Sequence, residues 1–228
     1  MKILAHDPRY KFNGREDSDS DAPVIREIWC ENVYEVYDGD LSDTGIVVDV
    51  GANIGSFSLY AASLGAKKVI AVEPEPHNLE LLQRNIDEHR NITPDCEFII
   101  EPFGVIGAKR SETGYYITND HGDSRLLTGA EMRASNRNDL TEVKFETLEQ
   151  LFKKLKIEYI DVLKIDIEGL EGDVLINTPE HIMNLCRYIT LEYDQHSRDL
   201  GAIVEKLNQT HQVKVVGKAG GMIFAKRY

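Results

Sequence analysis

The sequence predicts an α/β fold built on a doubly wound sheet of seven strands, mostly parallel, with one antiparallel strand at the C-terminus. Three observations predict it. From Gly45 onward, short β-branched apolar runs alternate with stretches of helical spacing, the pattern of parallel strands joined by crossover helices. The runs are continuously apolar, as strands covered on both faces require. The chain then closes on two β-prone runs around a Gly-containing turn, a hairpin that reverses one strand.

Taken in order, residues 13–22 are acidic and rich in Ser and Gly, which reads as a mobile loop or tail. Residues 24–37 return to apolar spacing through Val24, Ile25, Ile28, Trp29, Val33 and Tyr34, giving a helix and then an irregular or extended stretch. Asp38-Gly39-Asp40 is a turn. Ile46–Val50 is the first strand, 54–64 a helix that Gly65 stops, and Lys68–Val72 the second strand. A helix over 75–89 carries Leu79, Leu82 and Ile86 on one face, and 96–100 is the third strand. The alternation lapses at 107–138, read as a hairpin plus a long loop over the active site. It resumes with a helix at Leu148–Leu155, a strand at 160–167 and a helix opening after Gly169. A strand at 188–193 and a helix at 200–208 follow, and the hairpin pairs 212–216 with 222–226.

At 228 residues, with no Pro-, Gly- or Ser-rich linker, the chain reads as one domain: an N-terminal helical cap over 1–44 and a core over 45–228 with an insertion at 107–138. The apolar N-terminal helix either covers the site or meets a second subunit, so a homodimer stays open. No apolar run approaches the length of a bilayer span, and residues 1–21 have no signal-peptide core, so the simplest expectation is a cytoplasmic protein with no membrane partner. Cys30, Cys96 and Cys186 are odd in number and far apart, which argues against a disulfide framework or structural zinc. A formal net charge of -13 repels phosphate backbones. The Lys67-Lys68, Lys109-Arg110 and Lys153-Lys154 pairs are too small to reverse that, and no nucleic acid is expected.

Asp49-Val50-Gly51-Ala52-Asn53-Ile54-Gly55 falls at the turn between the first strand and first helix, where open α/β sheets bind nucleotides. Its glycines admit a ligand close to the backbone, and the helix start offers N–H groups to an anion, either a diphosphate or an amino-acid carboxylate. The spacing counts against a dinucleotide fingerprint, because three residues separate Gly51 from Gly55. Asp49 suits an ammonium-bearing cofactor such as S-adenosylmethionine (SAM), by contact or by bracing the loop. Glu73 ends the second strand, placed to accept both ribose hydroxyls, with Pro74 beside it. Asn78 begins the next helix, as a ligand contact or as its cap.

Three segments now carry a resemblance: residues 47–55, Val72-Glu73-Pro74, and Leu163-Lys164-Ile165-Asp166-Ile167-Glu168-Gly169-Leu170-Glu171. Together they closely resemble the FkbM-type family of class I SAM-dependent methyltransferases, over roughly residues 33–193. The third segment is the most specific. The resemblance implies a Rossmann-like sheet, SAM as cofactor, and O-methylation of sugars, polyketide-type natural products or other hydroxyl acceptors. The acidic N-terminal stretch and 107–138 match nothing in the family and are expected to bind the acceptor.

Methyl transfer to a hydroxyl requires the acceptor to lose a proton, so a base or a metal is sought. Strand alternation puts Lys164, Asp166 and Glu168 on one side. Asp166, at the carboxyl end of its strand, is expected to meet the cofactor's amino group or the acceptor hydroxyl. Lys164 and Glu168 are further catalytic candidates, against the alternative of a structural Lys164–carboxylate network. His121 is a candidate base or a solvated loop histidine, and Tyr34, Tyr115 and Tyr116 are candidate pocket walls. Glu192, Asp194 and His196 with Asp166 would suit a divalent cation, but the spacing is not diagnostic and no metal is predicted. The rival readings are a methyltransferase with a nucleic-acid or protein acceptor, a nicotinamide oxidoreductase, and a SAM-binding protein without catalysis.

Overall fold

The computed structural model describes the chain apart from residues 1, 6, 17, 109–112, 118–124, 128–139, 168, 194–199 and 218–219. Its centre is a seven-stranded sheet. Strands β3 (Ile46–Val50), β4 (Lys68–Val72), β5 (Glu97–Glu101), β10 (Ile160–Ile165) and β11 (Cys186–Tyr193) run parallel. The closing hairpin adds β12 (His211–Gly217) at the edge and slots β13 (Gly221–Arg227) between β12 and β11, antiparallel to both. The order β12-β13-β11-β10-β3-β4-β5 leaves β13 as the one reversed strand, as the sequence predicts.

β3 neighbours β4 on one side and β10 on the other, so the winding reverses between β3 and β10. That reversal opens a crevice at the carboxyl edge of the sheet. The strands are apolar on both faces because both faces are covered. Val48, Val50, Leu163, Ile165, Ile189 and Leu191 pack against α4 (Leu148–Leu155), α5 (Glu171–Asn177) and α7 (Leu200–Leu207). On the other face Val47, Val69, Val162 and Tyr188 meet Phe57 and Leu59 of α2 (Ser56–Ser63). α2 ends as expected, with Gly65 in the left-handed region (φ 103°) and Ala66 N bonded back to Ala61 O at 3.1 Å. α3 (Pro76–His89) has its cap three residues earlier than the sequence suggests. Glu75, not Asn78, is the N-cap and accepts Asn78 N at 2.6 Å, which frees the Asn78 side chain for other work. α4 opens on a capping box, Thr147 with Gln150, and α6 (Glu180–Met183) is a single turn leading to β11.

Of the expected loop or tail, the N-terminal stretch is a loop, and it is tied down at both ends. A hairpin of β1 (Lys2–Leu4) and β2 (Lys11–Asn13) precedes it, and Asn13 N bonds Asn85 Oδ1 of α3 at 2.7 Å. Asp21, 2% exposed, opens α1 (Asp21–Arg26), and its carboxylate receives both the backbone N–H and the guanidinium of Arg15. The acidic composition suggested a solvated segment, but its key carboxylate finds its cation six residues away. α1 runs into a π-helical turn, Glu27–Glu31, that ends where Asn32 turns left-handed. Tyr10, Phe12, Ile25, Ile28 and Trp29 then share the core formed with Val47, Phe57 and Val69.

The insertion holds the expected hairpin, and strands on either side of its bounds extend it into a small sheet. β7 (Thr113–Ile117) pairs antiparallel with β8 (Arg125–Leu127) and with β9 (Leu140–Glu146), and β9 runs parallel to the short β6 (Gly104–Val105). β9 escapes the sequence reading because Leu140, Val143 and Phe145 alternate only in its second half.

Candidate functional site

The crevice between β3 and β10 is closed at its base by backbone. Gly51 N and Ala52 N donate to Val72 O at 2.9 and 3.0 Å, and Asp166 N donates to Val50 O at 3.1 Å. Gly51 sits at φ 77°, and a Cβ there would lie 1.8 Å from Asp166 O, so the loop and the end of β10 touch through their main chains. Gly55, at φ 88°, turns the loop into α2 but does not line the pocket. Gly51, Ala52, Asn53, Glu73, Pro74 and Asn78 do line it, as do Lys164 and Asp166. Its further walls are Arg15 and Ser20 of the acidic N-terminal stretch, Val24 of the apolar helix, and three residues the sequence does not single out, Phe103, Gly104 and Val105 beyond β5. Ile28 lines the pocket as well, so the N-terminal helix covers the site.

Beneath the loop lies a buried charge network. Lys164 Nζ stands 3.1 Å from Asp49 and 3.8 Å from Asp166, and donates to Gly51 O at 2.7 Å. Burial works against the lysine's charge, but Asp49 and Asp166 outweigh it and hold its pKa above the usual range. Ser58 Oγ donates to the other oxygen of Asp49 at 2.6 Å. Asp49 is fully buried and is not part of the pocket wall; it braces the loop from below.

At the end of β4, Glu73 is 3% exposed. It accepts Asn53 N at 2.8 Å, Glu75 N at 3.0 Å and Asn78 Nδ2 at 3.3 Å. Desolvation raises its pKa and these three donors oppose that rise. Two pocket-lining atoms close by, Asn53 Oδ1 and Ser56 Oγ, are buried without a hydrogen-bond partner.

At the end of β10, Tyr34 donates its hydroxyl to Asp166 Oδ2 at 2.8 Å. Burial first, then the charge of Asp166, keeps the phenol protonated far above its ordinary range. Leu191 pairs with Ile165, which brings Glu192 of β11 alongside Asp166. Glu192 reaches solvent, yet the protein crowding its carboxyl, followed by the charges of Asp166, Glu27 and Glu171, pushes it up to about 7. The last acid of the third sequence motif serves the backbone: Glu171 accepts Ile167 N and Gly169 N and holds the turn after β10.

Glu168, His121, Asp194 and His196 lie outside the described residues, and Tyr115 and Tyr116 fall on β7, described as backbone. Among the described residues no group of three or more His, Cys, Asp and Glu is placed to hold a metal ion. No helix among them is long and apolar enough to cross a membrane.

Residues 49–213 match the Methyltransferase FkbM domain, well over half of the chain. Among curated proteins, the chain is 29% identical over 201 residues to the AMB antimetabolite synthetase AmbE of Pseudomonas aeruginosa. That match covers 74% of this chain and spans 9% of the synthetase's length. It is 26% identical to Methyltransferase sdnD of Sordaria araneosa, covering 74% of this chain and 73% of the relative. It is also 26% identical to the 31-O-demethyl-FK506 methyltransferase FkbM of Streptomyces tacrolimicus, over 81% and 78%. The likeness to solved structures is distant. The magnesium protoporphyrin IX methyltransferase of Synechocystis PCC 6803 aligns at 14% identity and TM-score 0.49, over 96% of this chain and 88% of that one.

Proposed function

Because the chain belongs to the FkbM methyltransferase family, we propose that it is a SAM-dependent O-methyltransferase whose acceptor is a hydroxyl of a small molecule or glycan. The observation that carries the cofactor is Glu73, a buried carboxylate at the end of β4 that faces the pocket. Its three donors leave about one lone-pair site for a ribose hydroxyl. Asn53 Oδ1, buried and unpaired in the same wall, is a second acceptor. The main-chain contact at Gly51 gives the amino-acid end of a cofactor a floor without side chains.

When bound, SAM would supply a sulfonium methyl for in-line transfer to an acceptor oxygen, with S-adenosylhomocysteine as the leaving group. The chain's own part is positional and electrostatic. Val24, Ile28, Phe57 and Phe103 keep water from the crevice. Tyr34 and Lys164 fix the Asp166 carboxylate, which would hold the cofactor's ammonium group. Glu192, brought alongside Asp166 by the strand register and pushed up to about 7, would take the acceptor's hydroxyl proton and pass it to solvent. From the sequence alone Glu192 reads as a possible metal ligand and not as a base.

The net charge of -13 favours a small acceptor over a nucleic acid. Calorimetric titration with SAM, S-adenosylhomocysteine and NAD tests the reading. Binding of the first two, lost in Glu73→Ala, supports it. NAD binding, or SAM affinity retained in Glu73→Ala, overturns the cofactor assignment.

A further inference from the structure

We propose that Arg15 is a positioning residue for the cofactor's ribose, acting through Asn78 on Glu73, a proposal that rests on the SAM reading above. Arg15 and Asp21 lie outside residues 49–213, the part of the chain that matches the family domain. The guanidinium is held from one side. Its Nε donates to Asp21 Oδ1 at 3.1 Å and its Nη2 to the same oxygen, while Arg15 N donates to Asp21 Oδ2 at 2.7 Å. Asp21 is buried, and both residues line the pocket. With Nε and Nη2 committed, Nη1 is left to donate to Asn78 Oδ1, 3.5 Å away.

What that contact does follows from the chemistry of an amide, which accepts at one end and donates at the other. Asn78 is buried, and its Nδ2 donates to Glu73 Oε1 at 3.3 Å while its Oδ1 faces the guanidinium. Turned over, the amide would set its oxygen against the Glu73 carboxylate and its NH2 against Arg15. Two hydrogen bonds would become two repulsive contacts. Arg15 therefore fixes the orientation that serves Glu73. Of the three donors to that carboxylate, Asn53 N and Glu75 N are main chain, and Asn78 Nδ2 is the one that a side-chain rotation removes. With Asn78 in place, Oε1 accepts from Glu75 N and Asn78 Nδ2 and is filled. Oε2 accepts Asn53 N and keeps one lone pair for a ribose hydroxyl. Arg15 thus decides which oxygen of the acid is open to the cofactor.

Titrating the full chain with S-adenosylhomocysteine and with its 2′-deoxy and 3′-deoxy analogues tests the assignment. The wild-type protein should bind at least one analogue more weakly, the one without the hydroxyl that Glu73 accepts. Arg15→Met should weaken S-adenosylhomocysteine binding on the order of tenfold and leave that analogue unchanged. A cover that is merely loosened would weaken both alike. In an Asn78→Ala background, Arg15→Met should cost nothing further, because its effect runs through that amide. Equal losses for both ligands, no loss for either, or losses that add across the two substitutions would each overturn the role of Arg15. Arg15→Met strands the buried Asp21 carboxylate. Should that variant be unfolded at the titration temperature, Arg15→Met/Asp21→Asn, which strands no charge, takes its place with the same outcomes. A wild-type protein that binds both deoxy analogues as tightly as S-adenosylhomocysteine overturns the proposal at Glu73. One that binds neither SAM nor S-adenosylhomocysteine instead refutes the cofactor reading on which the proposal stands.

Discussion

Lys164 is a single buried cation facing two carboxylates, and its removal tests whether the network under the loop is structural. Lys164→Met strands Asp49, which is fully buried, and should cost about 3–5 kcal/mol of stability. Adding Asp49→Asn should recover part of that loss, because the stranded charge goes with it. Urea denaturation of the two variants measures both, and an unchanged midpoint for Lys164→Met rules the network out as a stabilising element. Glu192 gives a second test with an explicit sign. An acid held at about 7 in the folded chain and near 4.5 when unfolded makes no difference below pH 4.5, where both states are protonated. Above pH 7 both states are ionised and the folded state is the one penalised. Glu192→Gln should therefore raise the melting temperature at pH 8 and leave it unchanged at pH 4. The reverse pattern would mean that the carboxylate is stabilised by its neighbours. Once an acceptor turns over, the wild-type rate should rise through pH 7, and Asp166→Asn should move that limb to lower pH by removing the nearest negative charge.

Among the elements, the N-terminal segment and the cofactor loop carry separate expectations. Arg15 bonds Asp21 and lies 3.5 Å from Asn78 Oδ1, and Asn78 in turn supports Glu73. Asp21→Ala leaves the guanidinium without its partner and should loosen this cover, costing about 3 kcal/mol. Faster amide exchange over residues 13–16 and 18–21 would report it, and exchange as slow as in the wild type would count against the pairing. Gly51→Ala forces a Cβ toward Asp166 O at a positive φ, so it should cost more than about 1 kcal/mol and lose the cofactor site. A variant of full stability would mean the loop has room the structure does not show. The sheet was legible because its strands are continuous β-branched runs that need no partner to be recognised. The glycine turn was legible because its backbone demand is written in residue type. Strands of three residues such as β1 and β8 carry too few positions for a period. What pushes the Glu192 carboxyl up is set by the folded chain, the protein crowding it first and then Asp166 and Glu27, both remote from it in sequence.

For the whole molecule, the open question is whether the N-terminal 44 residues fold with the sheet or as an appendage. The packing argues for one unit. Ile25, Ile28 and Trp29 are buried together with Val47 of β3, Phe57 of α2 and Val69 of β4, so melting the segment exposes the sheet's own face. Each such side chain contributes roughly 1.5–3 kcal/mol of burial, more than a short hairpin and helix can offset alone. The chain has one tryptophan, and it lies in that segment, in contact with Tyr10 at 4.5 Å between ring centroids and with Tyr60 of α2 at 5.4 Å. Its fluorescence therefore reads the segment, while far-UV circular dichroism reads mainly the sheet and helices of the core. The two melting curves should share one midpoint, and S-adenosylhomocysteine should move both upward together, because the segment and the sheet line the same pocket. A tryptophan transition that precedes the circular dichroism transition, or that fails to respond to the ligand, would make the first 44 residues a separate cap and remove them from the cofactor site.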